Sequence, residues 1–353
     1  MKALKQIREK LEELSLEGGI FFKPENRYYV SGFTGSTGYA LVLKDKAYFI
    51  TDFRYISQVK EECPDFEILE ISTSKTLGDV LEELNLNSLG FEDDFMTVEG
   101  LQTLKKSYSG QLVAMKRFIE NIRQIKREDE ILLMKKAQSI ADETFSYMLD
   151  FIKPGMSERE VYLELVTQLT QRGAQGESFK AIVASGVRGA LPHGSATEKI
   201  IEKGDLLTLD FGCVYQGYCS DMTRTICVGK ASEKQKEIYH VVLKAQKEAL
   251  KAIKPGAICK DIDKVARDII TEAGYGENFG HGLGHAVGLE VHENPRLNMV
   301  DESILKAGMV VTDEPGIYIP GFGGVRIEDI ILVTETGSEI LSTSNKELIE
   351  LEV

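Results

Sequence analysis

Four acidic residues and four histidines in the second half of the chain have the types and settings that chemistry needs. Asp210 closes an apolar run, Leu206–Leu209. Asp221 follows after Cys-Val-Tyr-Gln-Gly-Tyr-Cys-Ser, a segment suited to a hairpin with Gly217 in its turn. Such a hairpin brings both carboxylates to one side. Glu314 closes a matching run, Met309-Val-Val-Thr-Asp, and Glu328 lies in Val-Arg-Ile-Glu-Asp-Ile-Ile-Leu-Val, whose apolar flanks predict an interior strand. A charge in such a run is costly unless it is paired or bound to metal. Four acids converging on divalent cations account for that cost; four scattered acids do not. Only five histidines exist. Three fall in His281-Gly-Leu-Gly-His285-Ala-Val-Gly-Leu-Glu-Val-His292 and a fourth, His193, in Leu-Pro-His-Gly. The fifth, His240, sits in a helical pattern and reads as a packing or surface residue.

Carboxylates suit Mg and Mn, and imidazole suits Zn, Fe and Co. Four carboxylates with one imidazole make a hard-leaning site for two divalent metal ions. Mn or Co fits best, and Zn or Fe is compatible. Two such ions bridge a hydroxide, polarise a carbonyl and stabilise a tetrahedral intermediate. Neighbouring histidines donate to the developing oxyanion or shuttle protons. That is amide hydrolysis without a covalent nucleophile. Other chemistries fit less well. There is no GxSxG elbow, and His292-Glu-Asn-Pro-Arg lacks the second histidine of HExxH. Gly282-Leu-Gly284 with Gly288 has the wrong spacing for a dinucleotide loop and no clear strand before it.

The elements that must position these residues are partly repeated. Ile152-Lys-Pro-Gly155 recurs as Ile253-Lys-Pro-Gly256, 101 positions later, and each copy precedes a helix. Gly173-Ala174 recurs as Gly274-Tyr275, Glu177 and Phe179 as Glu277 and Phe279, and KGDLLTLDFG (203–212) as AGMVVTDEPG (307–316). The last match aligns Asp210 with Glu314. Helix, helix and strands used twice predict a pseudo-twofold α+β domain with the strand ends meeting at a shared centre. The capping boxes Ser157-Glu-Arg-Glu160 and Ser232-Glu-Lys-Gln235 mark two helix starts. Ahead of this, residues 1–120 alternate helical spacing (3–14, 76–86) with strand-like GIFF (19–22), YALVL (39–43) and AYFI (47–50), which predicts a small α/β domain. Its glycine-rich SGFTGSTG does not fit the phosphate loop GxxxxGK[ST]. A boundary is expected near 118–127, where NIRQIKREDE opens a long helix.

These segments resemble the pita-bread metallopeptidases: Xaa-Pro dipeptidase (prolidase), aminopeptidase P and methionine aminopeptidase, with creatinase as a metal-free relative. ALPHG, LDFG…CSDMTRT, HGLGHAVGLEVHE and EPGIYIPGFGGVRIED carry the resemblance through most of 190–330. SGFTGSTG and TDFRY resemble the extra N-terminal domain of the creatinase and proline-peptidase branch. The resemblance implies a creatinase-like domain over 1–122 and a pita-bread catalytic domain over 123–353. It implies that Asp210 chelates one metal, that Asp221 and Glu328 bridge both, and that His285 and Glu314 complete the other. Glu314 and the histidines His193, His281 and His292 would form the catalytic set, with His281 on the substrate side rather than a ligand. Arg326 borders the site, and Arg296 resembles an arginine that holds a dipeptide's carboxylate. The filled ligand set argues against creatinase, and the N-terminal domain argues against methionine aminopeptidase. The expected activity is hydrolysis of the Xaa-Pro bond at the N-terminus of short proline-containing peptides. The alternatives are a non-catalytic binding protein on the same fold and, remotely, a creatinase-like amidinohydrolase. Asp313, directly before Glu314, should point to the opposite face of its strand.

Bulk composition is compatible with this reading. At roughly 100–200 residues per domain, 353 residues predict two domains. A net charge of −14, from 56 acidic against 42 basic residues, repels nucleic acid and anionic membranes. The start of the chain reads as a charged amphipathic helix rather than a signal peptide. No window approaches the roughly 18 apolar residues of a membrane span. Five cysteines without a CxxC pair suit reduced thiols in a cytoplasmic protein. By resemblance, the N-terminal domain supports a homodimer.

Overall fold

The computed structural model describes residues 2–352 and divides between Ile122 and Arg123 into two compact units. The first holds β1 (Gly18–Phe21), β2 (Tyr39–Leu43), β3 (Ala47–Thr51), β4 (Glu67–Glu70), β5 (Ser88–Phe91) and β6 (Gln111–Ala114) in one sheet of order β4-β3-β2-β1-β5-β6. The pairs β1–β2 and β2–β3 are antiparallel, and the other three are parallel. Five helices, α1 (Lys2–Glu13), α2 (Pro24–Ser31), α3 (Ile56–Glu62), α4 (Leu77–Glu83) and α5 (Val98–Ser107), punctuate the strands, and α6 (Phe118–Arg123) ends at the division. Ile20, Leu41, Ile50 and Leu89 form the sheet's contribution to this unit's core, with Val80, Leu81 and Leu104 from α4 and α5. The glycine-rich segment wraps around Arg27, whose guanidinium donates to the carbonyls of Gly35, Ser36 and Gly38. It thus offers carbonyl oxygens to a cation rather than amides to an anion.

The second unit runs α7 (Glu128–Phe151), α8 (Glu158–Gln171), β7 (Gly176–Glu177), β8 (Ile182–Ser185), β9 (Leu206–Phe211), β10 (Cys213–Tyr215), β11 (Tyr218–Cys219) and β12 (Met222–Val228). It then repeats the plan with α9 (Glu233–Ala252), α10 (Cys259–Glu272), β13 (Gly284–Ala286), β14 (Glu293–Leu297), β15 (Val310–Asp313), β16 (Gly316–Ile319), β17 (Gly323–Arg326), β18 (Asp329–Val333), β19 (Ser338–Ile340) and β20 (Glu350–Leu351). The long helix begins at Glu128, within the NIRQIKREDE segment that the sequence marked as its opening. Arg127 is extended (φ −77°, ψ 164°), and its amide donates to the Glu130 side chain, which starts the helix there. Just before it, the buried Arg123 and Lys126 side chains are drawn to Glu293.

The duplication is visible in the backbone. Sheet β20-β12-β9-β8 corresponds to sheet β14-β13-β15-β18-β19: β9 lies between β8 and β12 as β15 lies between β13 and β18. Amide–carbonyl bonds recur in step. Gly155 to Ile201 matches Gly256 to Leu305, and Glu158 to Lys199 matches Cys259 to Ser303. Each half packs its helices on the outer face of its own sheet. In the first half, Ile140 and Phe145 of α7 and Leu165 of α8 meet Leu207, Leu209 and Phe211 of β9. In the second, Val242 of α9 and Ile262 of α10 meet Val311 and Ile331. Each such buried aliphatic side chain contributes about 1.5–3 kcal/mol.

Side-chain alternation then decides what faces the centre. With Leu207 and Leu209 turned to the helices, Thr208 and Asp210 take the opposite face. With Val311 turned to the helices, Thr312 and Glu314 face inward and Asp313 joins Val311 on the helix side. Asp313 is fully buried, and neither of its carboxylate oxygens has a hydrogen-bond partner among the described residues. Burial, and then the charge of Asp329 opposite it on β18, push its pKa well above the usual carboxylate range.

Candidate metal centre

The centre is built from strand ends of both sheets. Asp210 belongs to β9, and Asp221 directly precedes β12; Thr223 lies opposite Asp210 across the β9–β12 ladder. The intervening β10–β11 hairpin turns at Gln216 and Gly217, both with positive φ (46° and 82°), a pair of conformations suited to a tight two-residue turn. Glu314 follows the last residue of β15. Glu328 is not inside a strand, as its apolar flanks predicted, but in the break between β17 and β18. There its amide leaves the sheet to donate to the Thr223 carbonyl (3.1 Å), and its Oε2 accepts from the Thr223 hydroxyl (2.7 Å). The ladder of one half thereby fixes a carboxylate of the other.

His285 comes from β13. Its amide donates to Thr312 Oγ1 (3.0 Å), and that hydroxyl donates to Glu314 Oε1 (3.0 Å). Its Nδ1 lies 3.1 Å from the Ala286 carbonyl, which can only accept, so Nδ1 carries a proton. Nε2 then faces Glu314 Oε1 at 3.2 Å and Asp221 Oδ2 at 3.6 Å. In a neutral imidazole that nitrogen presents a lone pair to oxygen lone pairs, an arrangement that needs a proton or a metal cation between them. Donor atoms of Asp221, His285 and Glu328 all lie within 4.8 Å of one another.

The electrostatics of the bare protein say the same. Burial, then the charges of Asp210 and Glu314, push Asp221 well above the usual carboxylate range; burial, then Asp221 and Glu314, do so for Glu328. Asp210 is raised by burial, with the guanidinium of Arg326 holding it back. Burial works to raise Glu314 too. With a proton on His285 Nε2, however, that hydrogen bond and the charges of His285, His281 and Arg326 bring it down to about 2. Such a buried cluster of like charges fits divalent cations.

All ten residues singled out from the sequence line one cavity of about 590 Å³. Besides the carboxylates and His285, it is walled by His193, His281, His292, Arg296 and Arg326. The His292 ring stands edge-on to that of His285 at 4.4 Å between centroids. Burial, then the His285 charge, lower His292 to about 4, so it is neutral at physiological pH. The next residue, Glu293, is clamped by Arg123 and Lys126 and stays near 2 despite its burial. That ion cluster anchors β14 and with it His292.

Tyr318 was not singled out from the sequence. Its hydroxyl accepts from Arg326 Nη1 (2.8 Å) and lies 2.8 Å from His281 Nε2. Arg326 also donates to Asp210 Oδ2 and to Thr223 Oγ1. His281 Nδ1 is 2.7 Å from the Gly282 carbonyl and must donate to it. The Tyr318 proton therefore points at His281 Nε2. Burial lowers the pKa of His281, which keeps this tautomer neutral. A chain of hydrogen bonds thus runs from Asp210 through Arg326 and Tyr318 to His281. The sign in the sequence was Tyr318's two-residue spacing from Gly316 beside a carboxylate. A tyrosine in an apolar strand reads as packing, however.

Comparison with known proteins agrees with this geometry. Residues 132–335 match the model of metallopeptidase family M24, and residues 4–125 match the creatinase/prolidase N-terminal domain. The Xaa-Pro dipeptidase of Pyrococcus horikoshii is 43% identical over 351 residues, with 98% of each chain covered. A solved Xaa-Pro dipeptidase from Bacillus anthracis superposes with a TM-score of 0.95 at 46% identity and 99% coverage of both chains. The X-Pro aminopeptidase of Thermotoga maritima superposes with a TM-score of 0.92 at 36% identity, covering 98% of this chain and 99% of its own.

Proposed function

The chain belongs to metallopeptidase family M24, and from that premise we propose that it is a dinuclear-metal exopeptidase cleaving the Xaa-Pro bond at the N-terminus of short peptides. It is a metal-dependent hydrolase. The observation that carries the metal reading is His285 Nε2 facing Asp221 and Glu314 in a cluster of three buried carboxylates, Asp210, Asp221 and Glu328, and the partly buried Glu314. In this reading Asp210, Asp221, His285, Glu314 and Glu328 hold two divalent ions. The predominance of carboxylates favours Mn or Co over Zn or Fe. When bound, the ions polarise the scissile carbonyl and make water a nucleophile at neutral pH.

The chain's own groups do the rest. Glu314, one of the carboxylates lining the cavity, would accept the proton released as water attacks and pass it to the proline nitrogen. His292, neutral, lines the cavity and would hydrogen-bond the carbonyl oxygen as charge develops on it, while His281, its two nitrogens engaged by Gly282 and Tyr318, and His193 line the same cavity on the substrate side. A proline nitrogen carries no N–H, so its pocket needs no acceptor there. Arg296 lines the cavity and would take the free carboxylate of a dipeptide, which favours dipeptidase over aminopeptidase P. The names of the Pyrococcus and Bacillus relatives support the same choice. The reading includes a homodimer in the cytoplasm. The matched N-terminal domain supports the first, and five free, buried cysteines support the second. No described helix is long and apolar enough to cross a membrane.

The test is hydrolysis of Leu-Pro and Leu-Pro-Gly by protein loaded with Mn or Co. Cleavage of Leu-Pro with the higher kcat/KM is expected. Metal-loaded protein inactive on both would overturn the reading.

A further inference from the structure

We infer that Glu158 is a positioning residue for His193: its buried carboxylate ties together the loop 186–197 and so sets where that histidine stands in the cavity. The inference rests on the Xaa-Pro peptidase reading above and deepens it.

His193 needs such support. It lies exposed in a turn, and among the described residues no hydrogen bond holds its side chain. His281, by contrast, is held by Gly282 and Tyr318. The place of His193 is therefore decided by the backbone of its loop, which also brings Pro192 and Ser195 to the cavity. Glu158 opens α8 and is fully buried. Its two oxygens serve the two stems of the loop. Oε1 accepts from the Ser185 amide (2.8 Å) and hydroxyl (3.0 Å), where β8 ends and the loop leaves. Oε2 accepts from the Thr197 amide (3.1 Å) and hydroxyl (2.8 Å), where the loop returns. Arg188, inside the loop, donates from Nε to both oxygens (3.2 and 3.0 Å) and from Nη2 to the Ser195 carbonyl (2.6 Å), two residues after His193. One carboxylate thus closes both stems and, through Arg188, the stretch beside the histidine. A buried polar network paired in this way holds a single arrangement.

The duplication separates this role from plain architecture. Cys259 stands in the second half where Glu158 stands in the first, and its amide makes the matching bond to the facing segment. That contact at the helix start does not need a carboxylate. The second half ties its own histidine-bearing loop from another position, through Glu293 with Arg123 and Lys126. Each half thus sets a buried carboxylate and a guanidinium at the loop that carries His193 or His292. The front of the first loop is held independently. A Cβ on Gly324 of β17 would lie 2.2 Å from the Gly189 carbonyl oxygen, so backbone packs on backbone there. Loss of the Glu158 charge should leave that contact and release the returning stretch with His193.

Glu158→Gln keeps the shape but turns one oxygen into an NH2 group that faces the donors of one stem. The experiment compares Mn-loaded wild type, Glu158→Gln, His193→Ala and the double variant on Leu-Pro. Glu158→Gln should lower kcat/KM about 10- to 100-fold in the wild-type background. In the His193→Ala background the same replacement should change it by less than about 2-fold. Metal content should not change, because the loop holds none of the five proposed ligands. In carbon–proton spectra of isotope-labelled histidines, the signal absent from His193→Ala should move in Glu158→Gln while that of His285 stays. Equal losses in both backgrounds would mean a general structural role and overturn the inference, and so would an unmoved His193 signal. Where Glu158→Gln fails to fold, Arg188→Ala, which leaves both stems bonded to Glu158, is judged by the same two readouts. If the wild type cleaves no Xaa-Pro peptide, the peptidase reading fails, and the histidine spectra still decide whether Glu158 places His193.

Discussion

Replacing Tyr318 with phenylalanine would remove one oxygen and leave two neighbours unserved. Arg326 Nη1 would lose its acceptor, and His281 Nε2 would lose the donor that orients it. A buried donor without a partner costs about 1–3 kcal/mol, so a lower melting temperature is expected. Activity on Leu-Pro should fall roughly 10- to 100-fold through kcat, because His281 is left free to turn away from the substrate side. Metal content by atomic absorption should stay at the wild-type level, since the Tyr318 hydroxyl bonds to Arg326 and His281 rather than to any of the five proposed ligands. Loss of metal in this variant would contradict that division of roles. Convergence of the four acids on one place was legible in the sequence because each interrupts an apolar run, where a charge needs a reason. Tyr318 and Thr223 were not legible, because tyrosine and threonine are ordinary strand residues. Only the fold shows that their hydroxyls hold Arg326 and Glu328.

At the scale of the elements, the spacing of β13 from β15 determines where His285 stands. Gly284 precedes it, and a Cβ there would lie 2.2 Å from the Thr312 carbonyl oxygen and 2.6 Å from its Oγ1. No side-chain rotation relieves a clash with backbone, so Gly284→Ala must push the two strands apart. That breaks the His285 amide bond to Thr312 and shifts Nε2 from Asp221 and Glu314. The expected result is at least ten-fold weaker Mn binding by titration calorimetry, with stability lowered by about 1–3 kcal/mol. Unchanged affinity would show that His285 is positioned otherwise. Elements were read well where the signal is local. The hairpin at Gly217 and the capping boxes at Ser157 and Ser232 are as the sequence indicated. The long helix opens within the NIRQIKREDE segment, and Glu130, whose side chain accepts from the Arg127 amide, sets its first turn. The break that carries Glu328 was hidden, because a remote carbonyl, that of Thr223, decides it.

For the molecule as a whole, the duplicated architecture and the pita-bread α+β class were legible from four matches in the same order along the chain. The pairing of the two sheets was not, because contacts between distant strands leave no local pattern. Chelation tests what the centre does for this arrangement. Any ligand that binds only the folded state raises its stability, by about 2.7 kcal/mol at a hundred-fold excess over Kd. Treatment with EDTA should therefore lower the melting temperature, and adding Mn should restore it. A melting curve indifferent to chelation would argue against cations in the centre. The proposed ligands are shared out in a particular way: Asp210 and Asp221 come from the first half, and His285, Glu314 and Glu328 from the second. Neither half holds a full set. A cation there acts as a rivet through two plates, and its grip reports how closely the plates meet. Damage to packing far from the cavity, in a helix of either half, should then appear first as metal leaking from the protein, before any loss of fold is detectable.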